Sequence, residues 1–176
     1  EYEPKPVGVN YALASNGAKA EGFNPKSELA IDGKTAPVLA ECVRGEWKKL
    51  KPDILKITLP KETALNRIDV LLFNDYNSYS DLIVETSADG NAWKLLSPTL
   101  PPNAVRNIKA VLKKFNPKDT KDDAAHIALE YERGYRGWTS WNAKDSGKTR
   151  YIRITPKYNS GGYNEINIVE VQAWGE

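Results

Sequence analysis

Apolar and polar residues alternate along several short stretches of this chain, the pattern of strands that face a core on one side. In LIVETSAD (82–89), Leu82, Val84, Thr86 and Ala88 share one face, and Ile83, Glu85, Ser87 and Asp89 share the other. DILKITL (53–59) sets Leu55, Ile57 and Leu59 against Ile54, Lys56 and Thr58. TRYIRITP (149–156) sets Ile152 and Ile154 against Tyr151, Arg153 and Thr155. NRIDVLLF (66–73) is apolar enough for a central strand, and NIVEVQAW (167–174) supplies a last one. Asp89-Gly90 is a hairpin signal, because glycine reaches positive φ without a Cβ clash. Trp93, just beyond that turn, then has a packing role at the sheet end, with ligand contact as the alternative. Short strands separated by Gly, Pro, Asn and Asp predict an antiparallel sandwich or jelly roll.

One segment has a different period. In NAVRNIKAVLKKF (103–115), Val105, Ile108, Val111, Leu112 and Phe115 fall on one helical face. Asn103 is placed to cap the helix after Pro101-Pro102, and Asn116-Pro117 to stop it. Its lysines, Lys109, Lys113 and Lys114, read as a solvated face.

Composition narrows the function classes. The chain has 176 residues, 40% hydrophobic and 27% charged, as expected of one globular domain. No apolar run approaches the roughly eighteen residues needed to cross a membrane. The opening EYEPKPVGV (1–9) reads as a Pro-containing linker to a domain over 10–176, and with no Met anywhere the chain looks like a mature or excised module. Cys42 is the single cysteine, so no internal disulfide forms, and it reads as a small buried hydrophobe. His126 is the single histidine and reads as a strand residue. No nucleophile elbow, zinc-helix or phosphate-loop motif accompanies it. A net charge of +2 does not mark a nucleic-acid binder.

NYALASNGAKAEG (10–22), LAIDGKT (29–35), ETSADGNAW (85–93), TRYIRITP (149–156) and EVQAWG (170–175) follow one another in an order that resembles the coagulation-factor type C, or discoidin, domain. The resemblance is nearest to the family 32 carbohydrate-binding modules. It implies an eight-stranded jelly-roll sandwich with binding loops at one end, in which the D-G-x-x-W turn is a structural element. It also implies a structural calcium ion at Asp32, Thr35 and Glu170, with main-chain carbonyls near Leu29 and Lys34. The alternative is that Asp32 caps its own turn and Glu170 faces solvent. The galactose-binding members carry an arginine soon after the VLLF-type strand. Here that loop is NDYNSYS (74–80), with no arginine, but with Asn74, Asp75 and Asn77 as polar groups and Tyr76 and Tyr79 as flat surfaces.

The stretch 98–148 is longer than the family requires, a helix-containing insertion. Residues 98–150 hold seven Lys and four Arg against four Asp and two Glu, a net +5 in a chain of +2. Within it, YRGWTSWN brings Tyr135, Arg136, Trp138 and Trp141 together. Aromatic rings match the apolar face of a sugar, and an arginine pairs a carboxylate or sulfate in bidentate fashion. Alternation puts the two tryptophans on opposite faces, so at least one belongs to the core. YNSGGYN (158–164) joins the binding rim or is only a turn. The expected function is a non-catalytic, monomeric carbohydrate-binding module, covalently joined to a larger secreted or extracellular enzyme and targeting it to a polysaccharide, an anionic one by the charge argument. The competing expectations are an adhesion or protein-interaction domain, or a sandwich-fold polysaccharide-degrading enzyme.

Overall fold

The computed structural model describes residues 3–36, 38–73, 80–99, 137–159 and 162–176. Among them the strands are β1 (Val9–Asn10), β2 (Lys19–Glu21), β3 (Val43–Glu46), β4 (Leu55–Phe73), β5 (Ser80–Ser87), β6 (Lys94–Leu95), β7 (Pro98–Thr99), β8 (Trp138–Asn142), β9 (Lys148–Asn159) and β10 (Glu165–Gly175). The described helices are short 3₁₀ turns, of which Ser27–Ile31 is the longest. The helix expected over 103–115, and His126, lie outside the described residues.

All pairings are antiparallel, and they form two layers. In one, β10 is flanked by β1 and β3 on one side and β4 on the other, and β8 and β7 follow. In the other the order is β2, β4, β9, β5, β6. The alternation in the sequence has the expected result. Leu55, Ile57, Val84, Ile152 and Ile154 from one layer meet Ile68, Val70, Leu72, Ile168 and Val171 from the other in a single core. Each such side chain contributes about 1.5–3 kcal/mol by leaving water.

Two stretches expected as separate strands, 53–59 and 66–73, are one strand. Pro60 reads as a break because it lacks an N–H. In β4 it lies in a register shift between Thr58 and Thr63, where pairing to β9 is suspended and no donor is missed. Pairing to β9 resumes at Thr63 and Ala64, and from Leu65 onward the strand pairs in the other layer. Gly45 allows a close approach elsewhere: a Cβ at that position would lie 2.2 Å from the Phe23 ring.

The turn after β5 is built around Asp89, whose carboxylate accepts from the N–H groups of Asn91 (2.8 Å) and Ala92 (2.9 Å) and from Ser87 Oγ. Those donors hold its pKa below the usual carboxylate value, the Ala92 N–H foremost. Trp93 packs over the Arg153 guanidinium, 4.2 Å from ring centroid to Cζ.

Candidate functional site

A groove of about 290 Å³ opens where β3, β10 and β4 cross one end of the molecule. Its floor follows from strand register. Arg44 lies opposite Asn167, and Asn167 lies opposite Phe73, so the three form one row. Val43 and Ile166 alternate with Arg44 and Asn167 and point into the core, which turns the polar residues outward. Leu39 and Tyr163 are exposed walls, at 50% and 47%, and Asn159, Asn164 and Glu165 complete the lining.

Arg44 Nε and Asn167 Oδ1 are both buried, and neither has a hydrogen-bond partner. One is a donor and the other an acceptor. A buried polar group left unpaired costs about 1–3 kcal/mol, a cost that Thr86, Thr149, Arg150 and Glu170 share with this row.

The wall carrying Tyr163 and Asn164 is clamped from the segment after β3. Trp47 donates its backbone N–H to the Asn164 carbonyl (3.0 Å) and its indole N–H to the Tyr163 carbonyl (2.6 Å). Lys48 Nζ donates to the Gly162 carbonyl (2.5 Å), and the Trp47 ring meets Tyr158 edge to face at 5.6 Å. Of residues 158–164, Asn159, Tyr163 and Asn164 line the groove.

A second constellation joins a loop to the last strand. After the 3₁₀ turn Ser27–Ile31, Asp32 accepts from the Lys34 N–H (2.9 Å), and Gly33, at φ +86°, donates its N–H to Glu170 Oε1 (3.0 Å). Asp32 therefore does cap its own turn, but Glu170 does not face solvent. Glu170 is fully buried at a register irregularity in β10, and its Oε2 has no partner. Burial pushes its carboxyl up to about 9, the Asp32 charge adds to the rise, and the Gly33 N–H opposes it.

An orphaned carboxylate oxygen beside a second carboxylate fits a hard cation. Leu29 lies within the 3₁₀ turn, and Lys34 and Thr35 follow Gly33 as exposed residues, with the Lys34 amine 3.5 Å from Glu41. Among the described residues no group of three or more His, Cys, Asp or Glu side chains is arranged to hold a metal. A cation here would need main-chain and hydroxyl oxygens as well.

The aromatic platform expected at Trp138 and Trp141 is corrected. Trp141 is 1% exposed within the main core, and Trp138 is 7% exposed against Cys42, Leu71 and Val169. Alternation separates the two rings as expected, but β8 sits between β4 and β7 with both faces covered. Neither ring offers an open face to a sugar. Cys42 is buried, as read from the sequence. Tyr135, Arg136, Asn74, Tyr76, Asn77 and Tyr79 lie outside the described residues. Arg44, Asn167, Phe73 and Glu165 carry no motif; their signal is that each is a non-core position on an alternating strand.

The chain shares its β-sandwich fold with solved family 32 carbohydrate-binding modules. The AlyQ family 32 module in complex with 4,5-unsaturated mannuronic acid shares this fold at a TM-score of 0.58 and 15% identity, over 94% of this chain and 98% of that one. Truncated AlyQ, with its family 32 module and alginate lyase domains, aligns at 0.57 and 16%, over 98% of this chain and 35% of that one. Chitosan-binding module 1 of a chitosanase/glucanase from Paenibacillus sp. IK-5 aligns at 0.53 and 14%, over 95% and 99%. No sequence-family model and no curated protein sequence matches the chain.

Proposed function

We propose that this domain is a non-catalytic carbohydrate-binding module, which binds a short stretch of a polysaccharide in the groove between Leu39 and Tyr163. The row of Arg44, Asn167 and Phe73 carries this reading. It sets a half-buried arginine, a half-buried asparagine and an aromatic ring in the lining of one small concavity, the mixture of polar and flat apolar groups that suits a sugar ring. The fold supports it, since AlyQ and the chitosanase/glucanase carry modules of this architecture. In this reading the module is monomeric, is joined to a glycan-active enzyme that acts outside the cell, and holds that enzyme at its substrate. No helix among the described residues is long and apolar enough to cross a membrane.

An anionic polysaccharide is the proposed ligand class, favoured by the +5 charge of residues 98–150 and by Arg44 in the groove. Arg136 and Tyr135 are kept as a proposed second contact, without the two tryptophans. A structural calcium ion is proposed at Asp32 and Glu170, with oxygens of Leu29, Lys34 and Thr35. Such an ion would tie the turn after Ile31 to β10 through charge.

A polysaccharide array tests the binding. The exposed Tyr163 ring is expected to matter, and Tyr163→Ala should lose about 10-fold or more in affinity while remaining folded. Binding to no saccharide would end the proposal. A loss on Arg136→Ala with none on Tyr163→Ala would move the contact to the insertion.

A further inference from the structure

Building on the carbohydrate reading, we infer that Trp47 and Lys48, which lie outside the groove, are its positioning residues: they set the Tyr163 wall in place before a saccharide arrives, and affinity depends on them. The wall, residues 162–164, belongs to the connection from β9 to β10 and has little of its own to hold it. Gly162 takes φ +76° and donates its N–H to the Asn159 carbonyl (3.1 Å), so the chain turns at a residue without a side chain. The Tyr163 ring stands exposed, and it is fixed through its main chain. Three successive carbonyls, those of Gly162, Tyr163 and Asn164, accept in turn from Lys48 Nζ, the Trp47 indole and the Trp47 backbone N–H. Two consecutive residues thereby fix three consecutive carbonyls, and with them the direction in which Tyr163 projects.

The clamp is itself braced. Trp47 packs against the main core, and its ring lies 5.3 Å from Lys48 Nζ and edge to face with Tyr158. Glu46, the last residue of β3, lies opposite Glu165, the first of β10, so the clamp begins where the wall ends. From Glu46 the chain closes on itself at Asp53. The Asp53 N–H donates to the Glu46 carbonyl (2.9 Å), the Glu46 N–H donates to the Asp53 carboxylate (2.8 Å), and Lys49 Nζ lies 2.6 Å from that carboxylate. The wall therefore rests on a closed loop backed by the core. Neither Trp47 nor Lys48 lines the groove, so both act through the residues they hold. A ring already held where a sugar meets it has less freedom to lose on binding, and the difference appears as affinity.

The test removes one donor at a time. Trp47→Phe keeps a ring against the core and deletes only the indole N–H, and Lys48→Met keeps the stem and deletes the ammonium. Binding is measured by calorimetry with short oligosaccharides cut from alginate, from chitosan and from the polysaccharide that the array ranks first. Each variant should bind about 3- to 10-fold more weakly than the wild type, the range of one intramolecular hydrogen bond. A double-mutant cycle with Tyr163→Ala separates positioning from stability. With the ring gone the clamp has nothing to place, so Trp47→Phe should cost no further affinity in that background, although it lowers the thermal midpoint equally in both. Lys48→Met decides by the same cycle if Trp47→Phe does not fold.

A folded variant with wild-type affinity would overturn the assignment of that residue while leaving carbohydrate binding intact. An equal loss with and without the Tyr163 ring would overturn the inference, because it makes the clamp a general support of the fold. Wild-type affinity in Tyr163→Ala would take the contact off this wall and overturn it as well. Binding of none of the probes, in a domain that also binds nothing on the array, would remove both the inference and the carbohydrate reading.

Discussion

Rows of side chains cross the outer faces of both layers, and the chain completes one of them and leaves the other open. On the β4–β9–β5 layer, Lys56 lies opposite Arg153 and Arg153 opposite Glu85. Arg153 is paired to Glu85 and covered by Trp93, and Lys56 sits 4.8 Å from the Tyr151 ring centroid. Each member of that row has a partner from the same protein, although Thr86 Oγ1, Thr149 Oγ1 and Arg150 Nε elsewhere in the layer are buried without one. On the β3–β10–β4 side, Arg44 and Asn167 are placed by the same register rule and remain unpaired. Aromatic and cationic residues on a sheet face therefore do not mark a binding site by themselves. What distinguishes the groove is that its polar row lies in a concavity between the exposed side chains of Leu39 and Tyr163.

The comparison can be broken first at the tryptophans, where the expected effect is largest. Trp141→Ala should cost about 3–5 kcal/mol of stability, since it empties a fully enclosed site. Tyr163→Ala should leave stability nearly unchanged. Chemical denaturation of both variants decides this, and a stable Trp141→Ala domain with weakened sugar binding would restore the platform at β8.

Calcium comes next. At about a hundredfold excess over Kd it should stabilise the domain by about 2.7 kcal/mol, seen as a raised thermal midpoint. In metal-free protein at neutral pH the buried Glu170 carboxyl, held up at about 9, is uncharged. Glu170→Gln should then match the wild type in chelator and lose the calcium response. A wild-type midpoint indifferent to calcium and chelator alike would remove the ion.

A smaller effect separates the two arginine rows directly. Arg153→Gln should cost about 1 kcal/mol, because the pair is partly exposed, with Arg153 31% and Glu85 17% accessible. Arg44→Gln should cost nothing measurable or stabilise slightly. If both variants lose equal stability, the two rows do not differ in the way described.

The smallest effect is expected at the hairpin. The folded-state pKa of Asp89 is lowered, so its contribution is present above the ordinary carboxylate value and is lost as the pH falls through the folded value. Asp89→Asn should be less stable than wild type at neutral pH, and the gap should close in strong acid. A gap that is constant across that range would mean the carboxylate charge plays no part.

Strand positions were legible in the sequence because a period of two survives without knowledge of partners, as in Leu55, Ile57, Leu59 and in Ile152, Ile154. The continuity of β4 was not, because Pro60 signals a break locally and only the pairing shows that no donor is needed there. At the proposed cation site, Asp32 and Glu170 follow from resemblance, and the structure adds their proximity through Gly33. The groove was illegible. Arg44 and Asn167 meet through the register of strands far apart in the chain, and alternation reveals only which face each occupies. The same limit misled the reading of Trp138 and Trp141: a period of two separates two faces but cannot say that both are covered.

The unbroken course of β4 bears on how the domain opens. Its first half pairs with β2 and β9 and its second half with β8 and β10, so it is a shared member of both layers. Neither layer can come apart while the other keeps its ladder, and the two should behave as one cooperative unit. Native-state hydrogen exchange should find the slowest amides of β9 and of β10 with the same opening free energy, and with the same response to denaturant. Two separate groups of protected amides, one for each layer, would mean that the register shift around Pro60 uncouples them.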